Sequence, residues 1–458
     1  MGIAILIISR CLYSTANNPV SYYVIPWLAA TLLAASGLYG IYRPKDGTIA
    51  LIIIGMCSFF VGCLTIKVII GGWRGDAHPL MRNACQGKTA GGIFTIQAFE
   101  LPRGARRTLI ILGIVALAFE LYLAARSIPL LLSGSTLEYI KFQYSNELGS
   151  TLYATRELLV FQWIALPVIY VAMVMFSCGL LNKRIDWPFL WISLAGCALY
   201  VVVAGGRMIL FNFICFVILA VILSPLQKRL SDRLRALPGV AKLLLIVAVI
   251  GIVLITSVRS LGGGTSVLEN AFFYFAGPIT YFDEMLQDPQ RFGLDGSGLL
   301  YGTATFGFIA NPIEIMASVI FHFDYVGSDS IVTEAAAAYL PFSNSLVGNA
   351  VCTSLYPFMR DFGIAGVAIG PILFGMMTGL VWQKTFAGGA INQRWFPACV
   401  FMMYCVTFSE WRYTLVFPFA GAVFVIFAIL NCFRSPNGVR MHSEVARGRR
   451  YTSFRRTS

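Results

Sequence analysis

Arginine residues stand where the apolar segments of this sequence begin or end, and their side chains are the best suited to chemistry. Arg207 lies between two apolar segments, Arg259 and Arg360 bound the longest segment without a span, and Arg412 separates two further apolar segments. A guanidinium group presents a planar fork of donors that matches phosphate oxygens. These four residues predict a site that stabilises a phosphate or a departing diphosphate without a metal ion.

Arg207 has the most suggestive surroundings of these arginines. It follows Gly205 and Gly206, which allow a tight turn between helices and the close approach of a ligand. A further arginine, Arg156, precedes Glu157 at the entry to another apolar segment. For Arg156 the favoured interpretation is an ion pair with that neighbour or contact with lipid headgroups.

Carboxylates near the arginines could accept the proton of an attacking hydroxyl group. Asp361 is the first candidate, although an ion pair with its neighbour Arg360 explains it equally well. Aromatic rings beside acceptors suit a carbohydrate, whose C–H faces pack on rings while its hydroxyls need hydrogen-bond partners. The catalytic candidates are Asp361, Arg207, Arg259 and Arg360. The substrate-binding candidates are Arg412, Glu410, Tyr274, Tyr281, Asp283, Asn349 and Tyr356, of which Glu410 and Asp283 are also weaker candidates for the base.

The apolar composition decides the fold class. Of the 458 residues, 58% are apolar or aromatic and only 12% are charged, whereas soluble chains carry about 25% charged residues. Apolar runs of about twenty residues, long enough to cross a hydrocarbon core of ~30 Å, recur throughout. We predict an all-α, polytopic integral membrane protein with about 10–12 transmembrane helices, and residues 2–14 stay open as a further span. The ten clearest spans are 20–42, 48–71, 108–126, 158–181, 188–204, 208–224, 243–258, 361–383, 395–411 and 413–433.

The distribution of basic residues orients these spans. Segments that alternate along the chain hold 22 of the 34 lysines and arginines, and cytoplasmic loops retain positive charge. The net charge of +13 therefore predicts contact with anionic membrane lipids and no nucleic-acid partner. The basic segments are 73–107, 182–187, 225–242, 384–394 and the tail from residue 434.

This topology divides the chain into four regions. Residues 1–258 are N-terminal transmembrane helices with short loops, 259–360 a large periplasmic loop, 361–433 C-terminal transmembrane helices, and 434–458 a basic cytoplasmic tail. The large loop has three basic and nine acidic residues, which fits the side opposite the basic segments. Its seventeen Phe and Tyr residues and its glycine punctuation predict short helices and turns on the membrane surface.

Metal and cofactor sites are not predicted. The three histidines are far apart in sequence, no Cys-x-x-Cys pair occurs, and no Asp-x-Asp pair lies in the segments assigned to the outer side. These are the spacings in which metal ligands usually come. We therefore expect a site without a metal ion or cofactor.

Three features give the chain a resemblance to a known family. They are the Gly-Gly-Arg turn between two spans, the long outer segment, and a pattern of polar residues that leads into the next span. The pattern consists of Asn349, Thr353, Tyr356, Asp361, Phe362 and Gly363. In these features the chain resembles the oligosaccharide repeat unit polymerases, the O-antigen polymerase family of bacterial surface polysaccharide assembly.

The resemblance implies a GT-C-like, metal-independent glycosyltransferase of the bacterial inner (plasma) membrane whose active site faces the periplasm. Such an enzyme joins undecaprenyl-diphosphate-linked oligosaccharides into O-antigen, capsule or exopolysaccharide. It moves a growing glycan from one carrier onto the non-reducing end of a repeat unit on another. The partners implied are membrane lipids, a chain-length regulator and a flippase of the same pathway, with no cofactor.

Three alternatives stay open. An O-antigen ligase uses the same donor with another acceptor and is expected to place a histidine in the outer loop, where only His322 stands. A flippase or transporter needs charges within its spans, and the chain has few besides Lys67 and Glu120, which could pair or reach opposite surfaces separately. A scaffold without activity would tolerate replacement of the outer arginines.

Overall fold

The structure is a computed structural model that describes most of the chain. It covers residues 1–13, 17–71, 101–145, 152–180, 185–206, 208–223, 239, 267–322, 326–343, 347–348, 352–386 and 391–432. Within these ranges the fold is α-helical, apart from a two-stranded antiparallel hairpin of β1 (Leu340–Pro341) and β2 (Val347–Gly348). The predicted all-α fold class is confirmed.

The helices follow the apolar runs of the sequence closely. In chain order they are α1 Gly2–Tyr13, α2 Pro19–Ser36, α3 Asp46–Gly71, α4 Arg103–Leu132, α5 Leu137–Ser145, α6 Thr155–Gly179 with a π-helical turn at Phe161–Ala165, α7 Trp187–Ala204, α8 Met208–Leu223, α9 Val267–Gln287, α10 Gly307–Phe321, α11 Ser328–Ala337, α12 Leu355–Phe362, α13 Gly366–Phe386, α14 Phe396–Thr407 and α15 Pro418–Cys432.

Six helical segments are long and apolar enough to cross a membrane. They are Pro19–Ser36, Asp46–Ile70, Arg103–Leu132, Thr155–Gly179, Trp187–Ala204 and the combined segment Leu355–Phe386. Six of the ten predicted spans are thus confirmed by length and composition. Helices α8, α14 and α15 match three further predicted spans but have only 16, 12 and 15 residues, and the predicted span 243–258 lies outside the described residues. The stretch 2–14, which the sequence leaves open, forms the short apolar helix α1.

Glycines let α3 and α13 pack backbone against backbone. A Cβ atom at Gly62 would overlap the carbonyl oxygen of Ile372, and one at Gly375 would overlap the carbonyl oxygen of Phe59. Small residues at helix crossings are the usual means of close packing in lipid, because dispersion contacts replace the hydrophobic effect there. Gly375 belongs to a glycine-rich stretch, residues 363–379, whose small residues allow this close approach to α3.

The segment between α8 and α13 contains folded elements rather than an open loop. Its described part consists of α9 to α12 and the β-hairpin, so the predicted short helices and turns are present there. Helix α10 packs on α15, where the rings of Phe308 and Phe424 have centroids 6.3 Å apart and a Cβ at Gly421 would overlap the Phe308 carbonyl. These contacts fix this segment to the apolar helices.

Helix α14 is shorter than predicted. It ends at Thr407, before the predicted end of the span at 411, and a turn with a short 3-10 helix at Thr414–Val416 leads into α15. Glu410 and Arg412 therefore lie in a turn between two apolar helices. We call residues 408–417 the α14–α15 turn.

Candidate functional site

Two segments far apart in sequence meet at the start of α12. The N–H of Ser354 donates to the carbonyl of Ser409 at 2.8 Å, and the N–H of Cys352 donates to that of Trp411 at 3.1 Å. Cys352 and Arg412 also form an isolated parallel bridge. The pairing places the beginning of α12, the helix that carries Arg360 and Asp361, beside the α14–α15 turn, which carries Glu410 and Arg412.

The carboxylate of Asp361 is buried and engaged by a single loop. It accepts hydrogen bonds from the N–H of Ala304 at 3.0 Å and from both the N–H and the hydroxyl of Thr305 at 2.5 Å. Asp361 is only 1% exposed. Among the described residues it forms no ion pair with Arg360, so that explanation of the Arg-Asp sequence is wrong. Asp361 joins α12 to the loop before α10, and a catalytic role for it stays a prediction.

Arg360 reaches a glycine-rich loop instead. Its Nη1 donates to the carbonyl of Gly293 at 2.6 Å, and its own carbonyl accepts from the N–H of Leu300 at 2.9 Å. Gly293 has φ +61°, and a Cβ there would overlap the guanidinium group. In the same loop, hydrogen bonds from Ser297, aided by the charge of Arg360, lower the pKa of Asp295. The buried Nε of Arg360 has no hydrogen-bond partner within the described residues.

Glu410 has a buried carboxyl group that forms no ion pair with any described residue. The residue is 9% exposed, and its Oε2 has no hydrogen-bond partner in the described part of the chain. Burial raises the pKa of Glu410 from the usual 4.5 to about 8. A carboxyl group whose pKa is raised toward neutral pH in this way is typical of functional sites.

Replacing Glu410 with glutamine is expected to flatten the pH dependence of folding stability. The unfolded chain releases the Glu410 proton near pH 4.5, whereas the folded protein keeps it to about pH 8. Over this interval the folded state binds more protons, so the stability of the wild-type protein falls as pH rises from about 5 to 8. Thermal unfolding in detergent at pH 5, 6.5 and 8 measures the slope. Equal slopes for Glu410→Gln and wild type would contradict the burial argument.

Arg412 is an exposed cation on the same turn. Its guanidinium carbon lies 4.0 Å from the centre of the Phe417 ring, a cation–π contact that holds the group in place. Arg412 also lies within electrostatic reach of Tyr170 and Tyr404. Asn212 joins these two tyrosines by hydrogen bonds. Tyr404 donates to Asn212 Oδ1 at 2.7 Å, and Asn212 Nδ2 donates to the Tyr170 hydroxyl at 2.6 Å. Arg412 is thus a positioned cation at the edge of the site.

Asp283 has a structural role that accounts for its burial. It accepts from the N–H of Lys45 at 3.0 Å, from the Thr48 hydroxyl, and from Gln287 Nε2 at 3.0 Å. A carboxylate in this position satisfies donors at the first turn of α3 and complements the helix dipole. Asp283 also lines a cavity with Lys45, Thr48 and Gln287, and its predicted contact with substrate stays a prediction.

The three predicted tyrosines are spread over the outer segment. The Tyr281 hydroxyl donates to the carbonyls of Ala335 at 2.6 Å and Ala338 at 2.7 Å. The Tyr356 hydroxyl donates to the carbonyl of Phe292 at 3.2 Å. Both residues are buried and tie helices to loops, whereas Tyr274 is exposed on α9.

Three predicted site residues, Arg207, Arg259 and Asn349, lie outside the described residues. The glycine before the first of them is described. Gly205 has φ +59°, and a Cβ there would overlap the carbonyl oxygen of Leu137 in α5. The packing of α5 against this turn is thus a structural reason for Gly205, beside the predicted approach of a ligand.

Two ion-pair predictions for charged residues in the spans are corrected. Glu157 pairs with Arg126, at 2.6 Å between Oε2 and Nη1, and not with its neighbour Arg156. Lys67 donates to the carbonyl of Leu12 in α1 and lies over the Tyr13 ring, 4.5 Å from its centre.

Glu120 does not pair with Lys67 either. Both of its carboxylate oxygens are buried without a hydrogen-bond partner in the described residues. No ion pair between these two spans is therefore formed.

Sequence reasoning missed two hydroxyl groups beside Glu410. Tyr23 sits in an apolar run of α2 and Ser354 is a small residue before α12, and neither type is distinctive in such a context. Both hydroxyls are buried without a hydrogen-bond partner among the described residues. Only the fold shows that they converge with Glu410.

Metal-ligating residues are not clustered in the described ranges, where no group of three His, Cys, Asp or Glu side chains could hold a metal ion. Comparisons of the chain with protein-family models, with curated proteins and with solved structures give no match.

Proposed function

We propose that this chain is an oligosaccharide repeat unit polymerase, a membrane glycosyltransferase that joins undecaprenyl-diphosphate-linked units into a surface polysaccharide. One observation carries the proposal. The pairing of the start of α12 with the α14–α15 turn places Glu410 and Arg412 beside the first residues of the helix that carries Arg360 and Asp361. A lipid carrier can present its headgroup at such a place while its chain stays in the bilayer.

The proposed reaction needs cations more than any other group. A hydroxyl oxygen of the acceptor unit attacks the anomeric carbon of the donor glycan, and the bond from that carbon to the diphosphate breaks. Undecaprenyl diphosphate leaves with the electron pair, and fixed guanidinium groups stabilise the growing negative charge. We assign this role to Arg412 and to the unused Nε of Arg360, together with Arg207 and Arg259. The proposed reaction uses no cofactor.

The setting of this reaction belongs to the same proposal. The fold is proposed to be GT-C-like and the protein to be multi-pass in the bacterial inner membrane, with the site and the segment 259–360 facing the periplasm. The product is O-antigen, capsule or exopolysaccharide, and a chain-length regulator and a flippase of the pathway are the proposed partners. The alternation of basic segments supports this orientation.

Deletion of the gene in its host tests the proposal, with analysis of lipid-linked and surface glycans by gel electrophoresis. We expect single repeat units to remain on the surface and the long polymer to disappear. Wild-type protein should restore the polymer, Arg412→Ala should not, and Arg412→Lys should restore only part of it because lysine keeps the charge without the fork. Arg394→Ala, which removes a charge from the segment assigned to the cytoplasm, is the matched control and should restore the polymer fully.

Two results would overturn the proposal. Undecaprenyl-linked units trapped on the cytoplasmic side of the deletion strain would indicate a flippase. Full-length polymer that accumulates on the lipid carrier without transfer to the surface anchor would indicate a ligase.

A further inference from the structure

Three buried polar groups lie next to the α14–α15 turn, and none of them has a regular hydrogen bond to any other group in the described part of the structure. They are the Tyr23 hydroxyl, the Ser354 hydroxyl and Glu410 Oε2. Tyr23 and Ser354 are 0% exposed and Glu410 is 9% exposed. The Tyr23 and Ser354 hydroxyls interact with each other, and Tyr23 lies within electrostatic reach of Glu410. We call these three residues the hydroxyl cluster.

The hydroxyl cluster is held by contacts that do not use its polar atoms. The ring of Tyr23 stacks on Phe59 with centroids 4.0 Å apart and planes 7° from parallel. Backbone pairing of Ser354 with Ser409 sets the position of the serine, and Trp27 Nε1 donates to the Ser409 hydroxyl at 3.0 Å. A rigid frame that presents unsatisfied polar atoms costs folding free energy, and native proteins keep few such groups. Concentration of three of them at one point indicates a binding function.

The chemistry of the cluster selects its ligand. Glu410 can accept a hydrogen bond when ionised, whereas the Tyr23 and Ser354 hydroxyls both donate and accept. Nearby in the paired segments, Thr353 Oγ1 and the indole N–H of Trp411 are also buried without partners in the described residues. A phosphate would be repelled by the ionised form of Glu410 that acts as the base, and a bare cation cannot bond to the indole N–H, which only donates. A neutral sugar, whose hydroxyls both donate and accept, suits this mixture of donors and acceptors.

We propose that Tyr23, Ser354 and Glu410 form the subsite that holds the attacking hydroxyl of the acceptor sugar, with Glu410 as its general base. The inference rests on the proposed function and assigns a second substrate to the same site. The acceptor proton passes to Glu410 Oε2 as the acceptor oxygen bonds to the anomeric carbon. The bond from that carbon to the diphosphate breaks, and its electron pair leaves with the carrier toward the arginines.

Other observations agree with this division of roles. The carboxylate oxygens of Asp361 are occupied by Ala304 and Thr305, which leaves Glu410 as the unsatisfied carboxyl group of the site. The exposed Arg412 marks the side from which a charged headgroup approaches. Burial raises the pKa of Glu410 to about 8, so the ionised fraction that can act as a base grows as pH rises toward 8.

The test uses purified full-length protein in proteoliposomes. The donor is the lipid-linked repeat unit extracted from the deletion host, and the acceptor is a short-chain lipid diphosphate carrying the same unit, so that the acceptor KM and kcat can be measured separately. Glu410→Gln is expected to lower kcat by about 10²–10⁴-fold with little change in acceptor KM. Tyr23→Phe and Ser354→Ala are each expected to raise the acceptor KM by about 3–10-fold, as loss of one hydrogen bond predicts.

Stability measurements separate a binding role from a structural one. Because the two hydroxyls have no partners beyond each other within the described residues, Tyr23→Phe and Ser354→Ala should unfold close to the wild-type temperature, since each loses at most one weak hydrogen bond. Tyr153→Phe is the matched control. Its hydroxyl donates to the carbonyl of Val203 at 2.9 Å, so this variant should lose stability and keep its acceptor KM.

The outcomes distinguish the two proposals. If wild-type protein elongates no glycan, the proposed function fails and this inference fails with it. If wild-type protein elongates glycans and the three cluster variants match its kcat and acceptor KM, the hydroxyl cluster is not the acceptor subsite, while the polymerase assignment stands.

Discussion

Replacing Gly62 with alanine should destabilise the protein severely, by at least about 2–3 kcal/mol. The added Cβ would overlap the carbonyl oxygen of Ile372, and backbone atoms cannot move aside as the end of a side chain can. Helices α3 and α13 would have to separate along their crossing and lose dispersion contacts that hold helices together in lipid. Denaturant or thermal unfolding of the purified protein in detergent measures the loss.

Gly47→Ala provides the matched control for this prediction. Gly47 is in the same helix α3, and a Cβ there meets no atom within 4 Å. Alanine is the better helix former by about 0.8–1.0 kcal/mol, so this variant should be as stable as wild type or more stable. If Gly62→Ala and Gly47→Ala shift stability alike, the close crossing of α3 and α13 does not exist.

The second large effect is expected from Asp361→Asn, which keeps the shape of the side chain and removes its charge. The carboxylate accepts three hydrogen bonds from Ala304 and Thr305, two of them at one oxygen. An amide must turn its NH₂ group toward donors on one side, so buried donors of Thr305 or Ala304 lose their acceptor. Hydrogen bonds to charged groups contribute about 1.5–3 kcal/mol each, and we expect a loss of at least about 3 kcal/mol.

Asp295→Asn is the control for Asp361→Asn. Asp295 is an exposed carboxylate that accepts from the N–H and hydroxyl of Ser297, at 3.0 and 2.6 Å. Water replaces such contacts at a surface, so this variant should stay within about 0.5 kcal/mol of wild type. An Asp361→Asn protein with unchanged stability and lost activity would show that Asp361 acts in catalysis rather than as a link between α12 and the loop.

The spans were the part of the fold that the sequence predicted best. A run of apolar residues long enough to cross a bilayer is a local signal, and six of the ten predicted spans correspond to helices of sufficient length. The end of α14 was misplaced because Phe408 and Trp411 are as apolar as a span, although the chain already turns there. The role of glycines such as Gly375 in packing was also predictable, since spacing on one helix face shows it.

The partners of individual polar side chains could not be predicted in the same way. Asp361 seemed to face its neighbour Arg360, yet its donors come from residues 304 and 305, and Arg360 bonds to Gly293. Asp283 was chosen for its charge, but its donors at the start of α3 are far away in sequence. Such pairings depend on the tertiary fold, for which a single sequence without repeats carries no local signal.

Tyr23 illustrates the limit most clearly. A tyrosine in an apolar run is usually an ordinary core or interfacial residue, and nothing near it in sequence suggests a site. Its significance depends on Ser354 and Glu410, which are hundreds of residues away and meet it only through the pairing of α12 with the α14–α15 turn.

Chain elongation by the purified protein alone is the most direct test of the proposed polymerase function. Full-length protein in proteoliposomes would receive undecaprenyl-diphosphate-linked repeat units in buffer with a strong chelator, and the products would be sized by mass spectrometry. A polymerase is expected to form a ladder of two, three and more joined units, with one undecaprenyl diphosphate released per bond formed, and Arg412→Ala is expected to abolish the ladder. Units that stay single while they cross the bilayer would contradict the polymerase function. So would transfer only to an added acceptor that is not linked to undecaprenyl diphosphate.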